Sequence, residues 1–230
     1  MFKTKKKKRI FILIEARSTS KRLKRKHLRV CQNKSMIEIL IKKLKKLKNI
    51  SGIILATTAN KTDDDLVKVV RKENIKIFRG PEHNVLERVI KASKKYNADY
   101  ICRVTGDCPL LDTTYVKLLI DNFYKNDDLD YISNSFSLPP GQGAAIIKLD
   151  ALKKSAKYSK NKKRSEEFIT SSILENTNKF KIFFLSHGQK LEKIRKRTCL
   201  DTRKDLMFIE KVAKYKNLLD VKLDDLIKIK

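Results

Sequence analysis

Residues 100–112, YICRVTGDCPLLD, decide how the rest of the chain is interpreted. Tyr100–Thr105 is mostly apolar and β-branched, which predicts a buried strand. Gly106 and Asp107 end the strand, and Asp112 is placed to cap a helix over residues 113–126. Ligands of open α/β sheets bind at the carboxyl ends of strands, and a carboxylate placed there suits Mg²⁺, so Asp107 is a candidate Mg²⁺ ligand. Gly106 has no Cβ and therefore lets a ligand approach the backbone. An ordinary turn aspartate is the alternative, since Gly-Asp is common turn chemistry.

Apolar runs and helical repeats alternate along the chain. This alternation predicts an α/β fold: a three-layer α/β/α sandwich with a mostly parallel, Rossmann-like mixed sheet and antiparallel additions after residue 131. Strands are predicted at residues 9–14, 52–58, 75–80, 100–105, 131–134, 142–149, 180–186 and 197–201. Helices are predicted at residues 35–47, 63–73 (with Thr62 as N-cap), 84–96, 113–126, 152–157, 165–176 and 204–214.

The composition is that of a globular protein. With 230 residues and 41% hydrophobic content, the chain can bury one sizeable core, and we expect a single domain over residues 1–230 with a basic tail at 1–8. No apolar run approaches the roughly eighteen residues of a membrane span, and residues 10–14 are too short for a secretory signal. The cysteines form no CxxC pair, so we expect reduced thiols, a cytoplasmic location and no membrane insertion.

The formal net charge of +29 has two interpretations. A selected surface for RNA or membrane binding is one. The other is a coding bias toward lysine, because lysines are spread along the whole chain, asparagine and isoleucine are also abundant, and tryptophan is absent. The sequence lacks the interleaved aromatic residues of RNA-binding modules, so we do not expect a nucleic-acid partner. In either case a positive field favours an anionic substrate.

Residues 15–28, EARSTSKRLKRKHL, follow the first predicted strand directly. This is where nucleotide-binding α/β folds place a phosphate loop. The segment is neither a Walker P-loop nor GxGxxG, and a solvated basic loop is the alternative. Guanidinium groups grip phosphate oxygens two at a time and lysine adds a point charge, so the residue types suit phosphate groups.

Two segments resemble the spore-coat polysaccharide biosynthesis cytidylyltransferase-like family, which is related to the acylneuraminate and 3-deoxy-manno-octulosonate cytidylyltransferases. They are VTGDCPLLD and the basic loop, where the family reads roughly Gln-Ala-Arg-x-Gly-Ser-x-Arg-Leu-Pro-x-Lys-x-Leu. The resemblance extends over about residues 10–212, with Thr19 in place of the family glycine and Lys24 in place of the proline. It implies a glycosyltransferase-A-like variant of the predicted fold.

The resemblance also implies a set of site residues. Arg17, Arg22, Lys26 and Asp107 would be catalytic, and Mg²⁺ would be held by Asp107 and Asp201, with Asp205 bracing the following helix. Arg79 could instead be an ordinary strand-end arginine, and Arg103 a structural ion-pair partner. Nucleotide contacts are expected from Ala16, Arg17, Ser20, Arg22, Lys26, Thr57, Asn60, Arg79, Gly80 and Gly106, and substrate contacts from Arg103, Ser133, Asn134 and Glu166.

The implied reaction is transfer of CMP from CTP to a sugar acid of the sialic type or to a sugar phosphate, giving an activated nucleotide sugar. The chain departs from the family at Gly143 and Ala145, where the family has two acids lining the sugar site. A nucleotide-binding homologue with altered catalysis, or an enzyme that uses another nucleoside triphosphate, is therefore an alternative. The sequence leaves a homodimer open.

Overall fold

The computed structural model describes residues 8–126, 128–192, 194 and 196–229. Of the expected basic tail, residues 1–7 lie outside the described residues. The strands are β1 (Ile10–Glu15), β2 (Val30–Cys31), β3 (Lys34–Ser35), β4 (Gly52–Thr58), β5 (Lys76–Gly80), β6 (Tyr100–Thr105), β7 (Tyr131–Ser133), β8 (Ala145–Lys148) and β9 (Ile182–Phe184). The α-helices are α1 (Met36–Leu44), α2 (Asp64–Arg71), α3 (Val85–Lys95), α4 (Thr113–Lys125), α5 (Leu149–Ser155), α6 (Lys162–Glu167), α7 (Ser171–Glu175), α8 (Gln189–Glu192), α9 (Arg203–Tyr215) and α10 (Leu223–Lys228).

Seven strands form one mixed sheet in the order β5-β4-β1-β6-β8-β7-β9. Strands β5, β4, β1 and β6 are parallel, whereas β8 runs antiparallel to both β6 and β7. This confirms the predicted α/β fold with antiparallel additions late in the chain. Glu15, the last residue of β1, lies opposite Ala56 of β4 and Thr105 of β6, so the carboxyl ends of three strands share one edge.

Helices cover both faces of the sheet because its central strands are apolar on both sides. In β1, Ile12 and Ile14 face a core that includes residues of α1, α2 and α4, while Phe11 and Leu13 face a core that includes residues of α3, α5 and α7. A third apolar cluster packs α9 and α10 against the outer side of α1, which contributes Met36. None of the helices in the described part of the chain has the length and apolar character that a membrane crossing requires.

Three element predictions were wrong. Residues 165–176 form parts of two helices, α6 and α7, because the backbone leaves the helical conformation at Phe168, whose φ and ψ are −110° and 87°. Residues 197–201 form no strand; the N–H of Thr198 donates to the carbonyl of Pro140 at 2.9 Å, so this segment is held by a loop. Thr62 does not cap α2, which instead begins at Asp64 after a 3₁₀ turn.

Gly143 permits a close contact between two backbone segments. A Cβ at this position would lie 2.5 Å from Cα and 2.6 Å from Oγ of Ser135, closer than real Cβ contacts. The chain before β8 can therefore pack against the turn at 135–137 only if residue 143 has no side chain.

We predict that Gly143→Ala lowers the free energy of unfolding by about 1–3 kcal/mol, the usual cost of overpacking. Denaturant unfolding followed by circular dichroism measures the change. Adding Ser135→Gly should restore only part of the loss, because the contact with Cα of residue 135 persists. A single variant as stable as the wild type would contradict the packing described here.

Candidate functional site

A cleft of about 870 Å³ opens at the shared carboxyl edge of β1 and β6. The loop after β1, the start of α3 and α6 all contribute residues to its lining. Its lining residues are Glu15, Ala16, Arg17, Thr19, Ser20, Lys21, Arg22, Lys26, His27, Glu82, His83, Val85, Arg88, Thr105, Asp107, Lys163, Glu166 and Glu167.

The centre of the site is an ammonium group between two carboxylates. Nζ of Lys26 donates to Oδ2 of Asp107 at 2.7 Å and to Oδ1 of Asp201 at 2.8 Å. Since both oxygens bond the same nitrogen, they are at most about 5.5 Å apart, the two distances laid end to end. Residues 26, 107 and 201 are thus brought together, as the sequence led us to expect.

Asp201 reaches this centre by a route that the sequence did not reveal. It does not follow a strand; instead the N–H of Leu200 donates to the backbone carbonyl of Asp107 at 2.7 Å, which holds the two segments side by side. Asp205 then accepts from the N–H groups of Asp201 and Thr202 at 2.9 and 2.8 Å, forming a capping box at the start of α9. The prediction that Asp205 braces this helix is confirmed.

The opposite charges of Lys26 and Asp107 stabilise one another. Burial acts against the charged form of Lys26, but Asp107 and Asp201 outweigh it and raise the pKa of Lys26 above its usual value. Burial likewise acts to raise the pKa of Asp107, but Lys26 outweighs that effect and the pKa is lowered. The carboxylate of Asp201 also forms ion pairs with the guanidinium groups of Arg22 at 3.0 Å and Arg197 at 2.8 Å. At neutral pH Lys26 and Asp107 are both charged.

The donor set suits Mg²⁺ better than a metal that needs an all-protein cage. Among the described residues no cluster of three or more His, Cys, Asp or Glu could hold a metal ion. Two converging carboxylates, Asp107 and Asp201, are the protein share expected for Mg²⁺, which completes its shell with water and substrate phosphates. These residues therefore fit Mg²⁺ in the presence of a phosphate-bearing ligand.

The basic loop exposes its cations to the cleft. The side chains of Arg17 and Arg22 are 43% and 65% exposed, so both are accessible to a ligand. Ser20 also lines the cleft, and its Oγ accepts from the N–H of Leu23 at 3.5 Å. The loop ends in a 3₁₀ turn, Lys26–Leu28, whose geometry directs Lys26 inward.

Gly106 is required here by packing within the protein. A Cβ on it would lie 2.7 Å from Cβ of Ala16 and 3.0 Å from the carbonyl oxygen of Glu15. The carbonyl of Gly106 accepts from Nδ1 of the buried His27 at 3.1 Å. Ala16 and Gly106 thus fit the loop after β1 against the end of β6. This packing is a different reason for glycine from the ligand approach suggested by the sequence.

The remaining nucleotide residues predicted from the sequence are engaged in the scaffold. Thr57 is fully buried and donates to Asp63 at 2.7 Å, so its expected place beside the nucleotide is revised to a structural one. Arg79 donates to the carbonyls of Thr58 and Asn60 at 3.0 and 2.7 Å and pairs with Asp64 at 2.7 Å, in line with the strand-end alternative. A Cβ on Gly80 would crowd the aromatic ring of Phe78 and the side chain of Arg88. The side chain of Asn60 donates a hydrogen bond to Glu82.

Of the predicted substrate residues, Glu166 lines the cleft. Arg103 forms two hydrogen bonds with Glu15 at 3.0 and 2.8 Å, which matches the ion-pair alternative. Ser133 and Asn134 are 1% exposed and are revised to scaffold residues. Oγ of Ser133 donates to the carbonyl of Ala144 at 3.0 Å, and Oδ1 of Asn134 accepts from the N–H of the same residue at 2.9 Å.

Two carboxylates near the cleft were missed by sequence reasoning. Glu82 accepts from Oγ1 of Thr19 at 2.9 Å and lies 3.7 Å from Arg17, so it ties the loop after β1 to the turn before α3. Asp63 accepts the backbone N–H of Ser18 at 2.6 Å. Each lies far in sequence from its partner, and an acidic residue in a loop carries no signal of such contacts.

We predict a pH dependence of stability that depends on His27. Burial lowers its pKa to about 4, whereas an unfolded histidine titrates near 6.5. Stability from the neutral ring is therefore present above the unfolded pKa and is lost as the pH falls toward the folded pKa. Between pH 7 and pH 4 the wild type should lose about 3 kcal/mol more unfolding free energy than His27→Gln. His83→Gln, at a side chain that is 93% exposed, should follow the wild type; parallel curves for all three proteins would contradict the assignment.

A family model described as cytidylyltransferase matches residues 11–225 of the chain. An uncharacterised protein of Methanocaldococcus jannaschii is 36% identical over 219 residues, covering 95% of this chain and 89% of that protein. The spore coat polysaccharide biosynthesis protein SpsF of Bacillus subtilis is 26% identical over 201 residues, covering 85% of this chain and 82% of that protein. These matches confirm the resemblance drawn from the sequence.

Two solved protein structures have the same fold as this chain. A cytidylyltransferase from Leptospira borgpetersenii has a TM-score of 0.89 at 28% identity, covering 96% of this chain and 93% of that one. The CMP:2-keto-3-deoxy-manno-octonic acid synthetase complexed with CTP shares the fold, with a TM-score of 0.66 at 15% identity over 90% of this chain and 98% of that one. Because the family model matches nearly the whole length, the chain belongs to the cytidylyltransferase family and is a nucleotidyltransferase.

Proposed function

We propose that this enzyme transfers CMP from CTP to a sugar acid or a sugar phosphate, forming an activated nucleotide sugar. The observation that carries the proposal is the position of Lys26, between two carboxylates and at the base of a loop with exposed arginines. That arrangement supplies cations for a polyphosphate and oxygens for a divalent metal in one cleft.

CTP is favoured over other nucleoside triphosphates by the relatives. A protein of the same fold is known as a complex with CTP. A 3-deoxy-manno-octulosonate cytidylyltransferase is similar to about half of this chain, 31% identical over 121 residues. The polysaccharide biosynthesis role of SpsF supports a sugar acceptor.

In the proposed reaction an acceptor oxygen forms a bond to the α-phosphorus of CTP; a sugar phosphate attacks as its anion, whereas a sugar hydroxyl gives up its proton to solvent. The bond from that phosphorus to the bridging oxygen of the β-phosphate breaks, and pyrophosphate leaves. Arg17 and Arg22 bind the β- and γ-phosphate oxygens and stabilise the charge that develops on the leaving group. Lys26 shifts from the carboxylates to the phosphates, a short movement for a flexible side chain with three donors.

Asp107 and Asp201 would hold Mg²⁺ once Lys26 has turned to the phosphates. When bound, the metal neutralises negative charge on the phosphate oxygens and makes the α-phosphorus more electrophilic. Asp201 stays oriented by Arg197, which contacts it at 2.8 Å from outside the cleft lining.

The acceptor would enter from the side of α6. There the cleft lining includes Lys163, Glu166 and Glu167. Carboxylates and an ammonium group at this position can orient sugar hydroxyls by hydrogen bonding. We assign the acceptor side of the cleft to α6 and the nucleotide phosphates to the loop after β1.

A pyrophosphate-release assay with each of the four nucleoside triphosphates and a panel of sugar acids and sugar phosphates tests the proposal. We expect release with CTP and one acceptor class, dependent on Mg²⁺. Asp107→Asn keeps the size of the side chain but loses its charge, and should reduce turnover by about a hundredfold or more.

Asp121→Asn is the matched control, since Asp121 pairs with Lys117 on an exposed helix face and should leave turnover unchanged. Full Mg²⁺-dependent turnover in Asp107→Asn would refute the assignment of the metal site. CTP binding without turnover for any acceptor would favour a nucleotide-binding homologue with altered catalysis.

A further inference from the structure

Asp63 is a buried carboxylate that the reaction described above does not use. Its side chain has no exposed surface, yet it accepts four hydrogen bonds. Oδ2 accepts from Oγ1 of Thr57 at 2.7 Å and from both N and Oγ1 of Thr58 at 3.0 and 2.5 Å. Oδ1 accepts from the N–H of Ser18 at 2.6 Å. The two oxygens thus hold the end of β4 on one side and the phosphate loop on the other.

This environment requires an ionised carboxylate. All four partners are donors, and a carboxylate is the side chain that accepts from all of them without presenting a donor of its own. Burial acts to raise the pKa of Asp63, but the hydrogen bonds from Thr58, Ser18 and Thr57 outweigh it, so the pKa is lowered. An asparagine here would turn its NH₂ group toward at least one N–H or O–H, leaving a buried donor unsatisfied.

The contact with Ser18 fixes the part of the loop that faces the cleft. Ser18 lies between Arg17 and Thr19, both of which line the cleft. The hydroxyl of Ser18 is buried without a hydrogen-bond partner among the described residues, so its own side chain does not anchor the loop. The N–H bond to Asp63 holds the backbone at Ser18 from inside the protein. Glu82 holds the next residue, Thr19, by its side chain and lies 3.7 Å from Arg17.

We propose that Asp63 is a positioning residue of the phosphate loop, holding Ser18 so that Arg17 faces the triphosphate. This inference rests on the function proposed above, because it assigns that loop to phosphate binding. Asp63, the last residue of the 3₁₀ turn before α2, does not line the cleft. It acts on the position of Arg17 through one hydrogen bond from the backbone N–H of Ser18.

The test compares Asp63→Asn with Asp112→Asn in the full chain. Asp112 is a matched control: it is 4% exposed and also accepts from a distant backbone N–H, that of Leu223 at 3.0 Å, but it does not line the cleft. Both variants should lose stability. The dissociation constant for CTP, measured by calorimetry, should rise about tenfold or more in Asp63→Asn and stay unchanged in Asp112→Asn, since one charge-assisted hydrogen bond is lost beneath the phosphate loop.

A second measurement does not involve nucleotide. Hydrogen exchange at the Ser18 amide, followed by NMR, should be slow in the wild type and in Asp112→Asn and much faster in Asp63→Asn. Equal CTP affinity, or equal Ser18 protection, in folded Asp63→Asn would overturn the proposal. If Asp63→Asn does not fold, Thr58→Val, which removes one donor to the same carboxylate, should show both effects in weaker form. If the wild type binds no triphosphate, the proposed function fails, whereas faster exchange at Ser18 still supports the hold of Asp63 on the loop.

Discussion

The bond of one ammonium group to two carboxylates is the constraint on which the site depends. Asp107 and Asp201 bring two negative charges within about 5.5 Å, a repulsion of about 3 kcal/mol at an effective dielectric constant of 20. Nζ of Lys26 offsets it by bonding both. The same pair of carboxylates suits a divalent cation, and the same lysine suits a phosphate; in the proposed reaction Lys26 therefore gives way to a metal–triphosphate complex.

Sequence reasoning found what depends on local pattern. The strand Tyr100–Thr105, the acid at its end and the basic loop after β1 are all readable because apolar periodicity and residue type are local properties. The bonds of Leu200 to Asp107 and of Ser18 to Asp63 join segments 93 and 45 residues apart. Such contacts follow from how loops pack, which no short window of sequence encodes. The place of Thr57 beside the nucleotide was implied by the family resemblance alone, and its hydroxyl is instead turned into the protein, where it donates to Asp63.

Gly143 and Ala145, the two positions at which the sequence departs from the family pattern, lie next to identifiable neighbours in the structure. Gly143 abuts the backbone of Ser135, which excludes any side chain there. Ala145 lies in register with Arg103 of β6, and the guanidinium of Arg103 is paired instead with Glu15 of β1. Glu15, which lines the cleft, is thus the carboxylate beside Arg103. With Gly143 and Ala145 at these positions, the charge of Arg103 is balanced by Glu15 and the Lys26 centre is intact.

The most direct measurement of the central claim is a crystal structure of the chain with CTP and Mg²⁺. If Mg²⁺ replaces the ammonium group of Lys26 between the carboxylates, Nζ of Lys26 should leave Asp107 and Asp201 for a phosphate oxygen. Both carboxylates should then face the metal. A complex in which the triphosphate is bound while Lys26 still bridges Asp107 and Asp201, with Mg²⁺ held elsewhere, would contradict it.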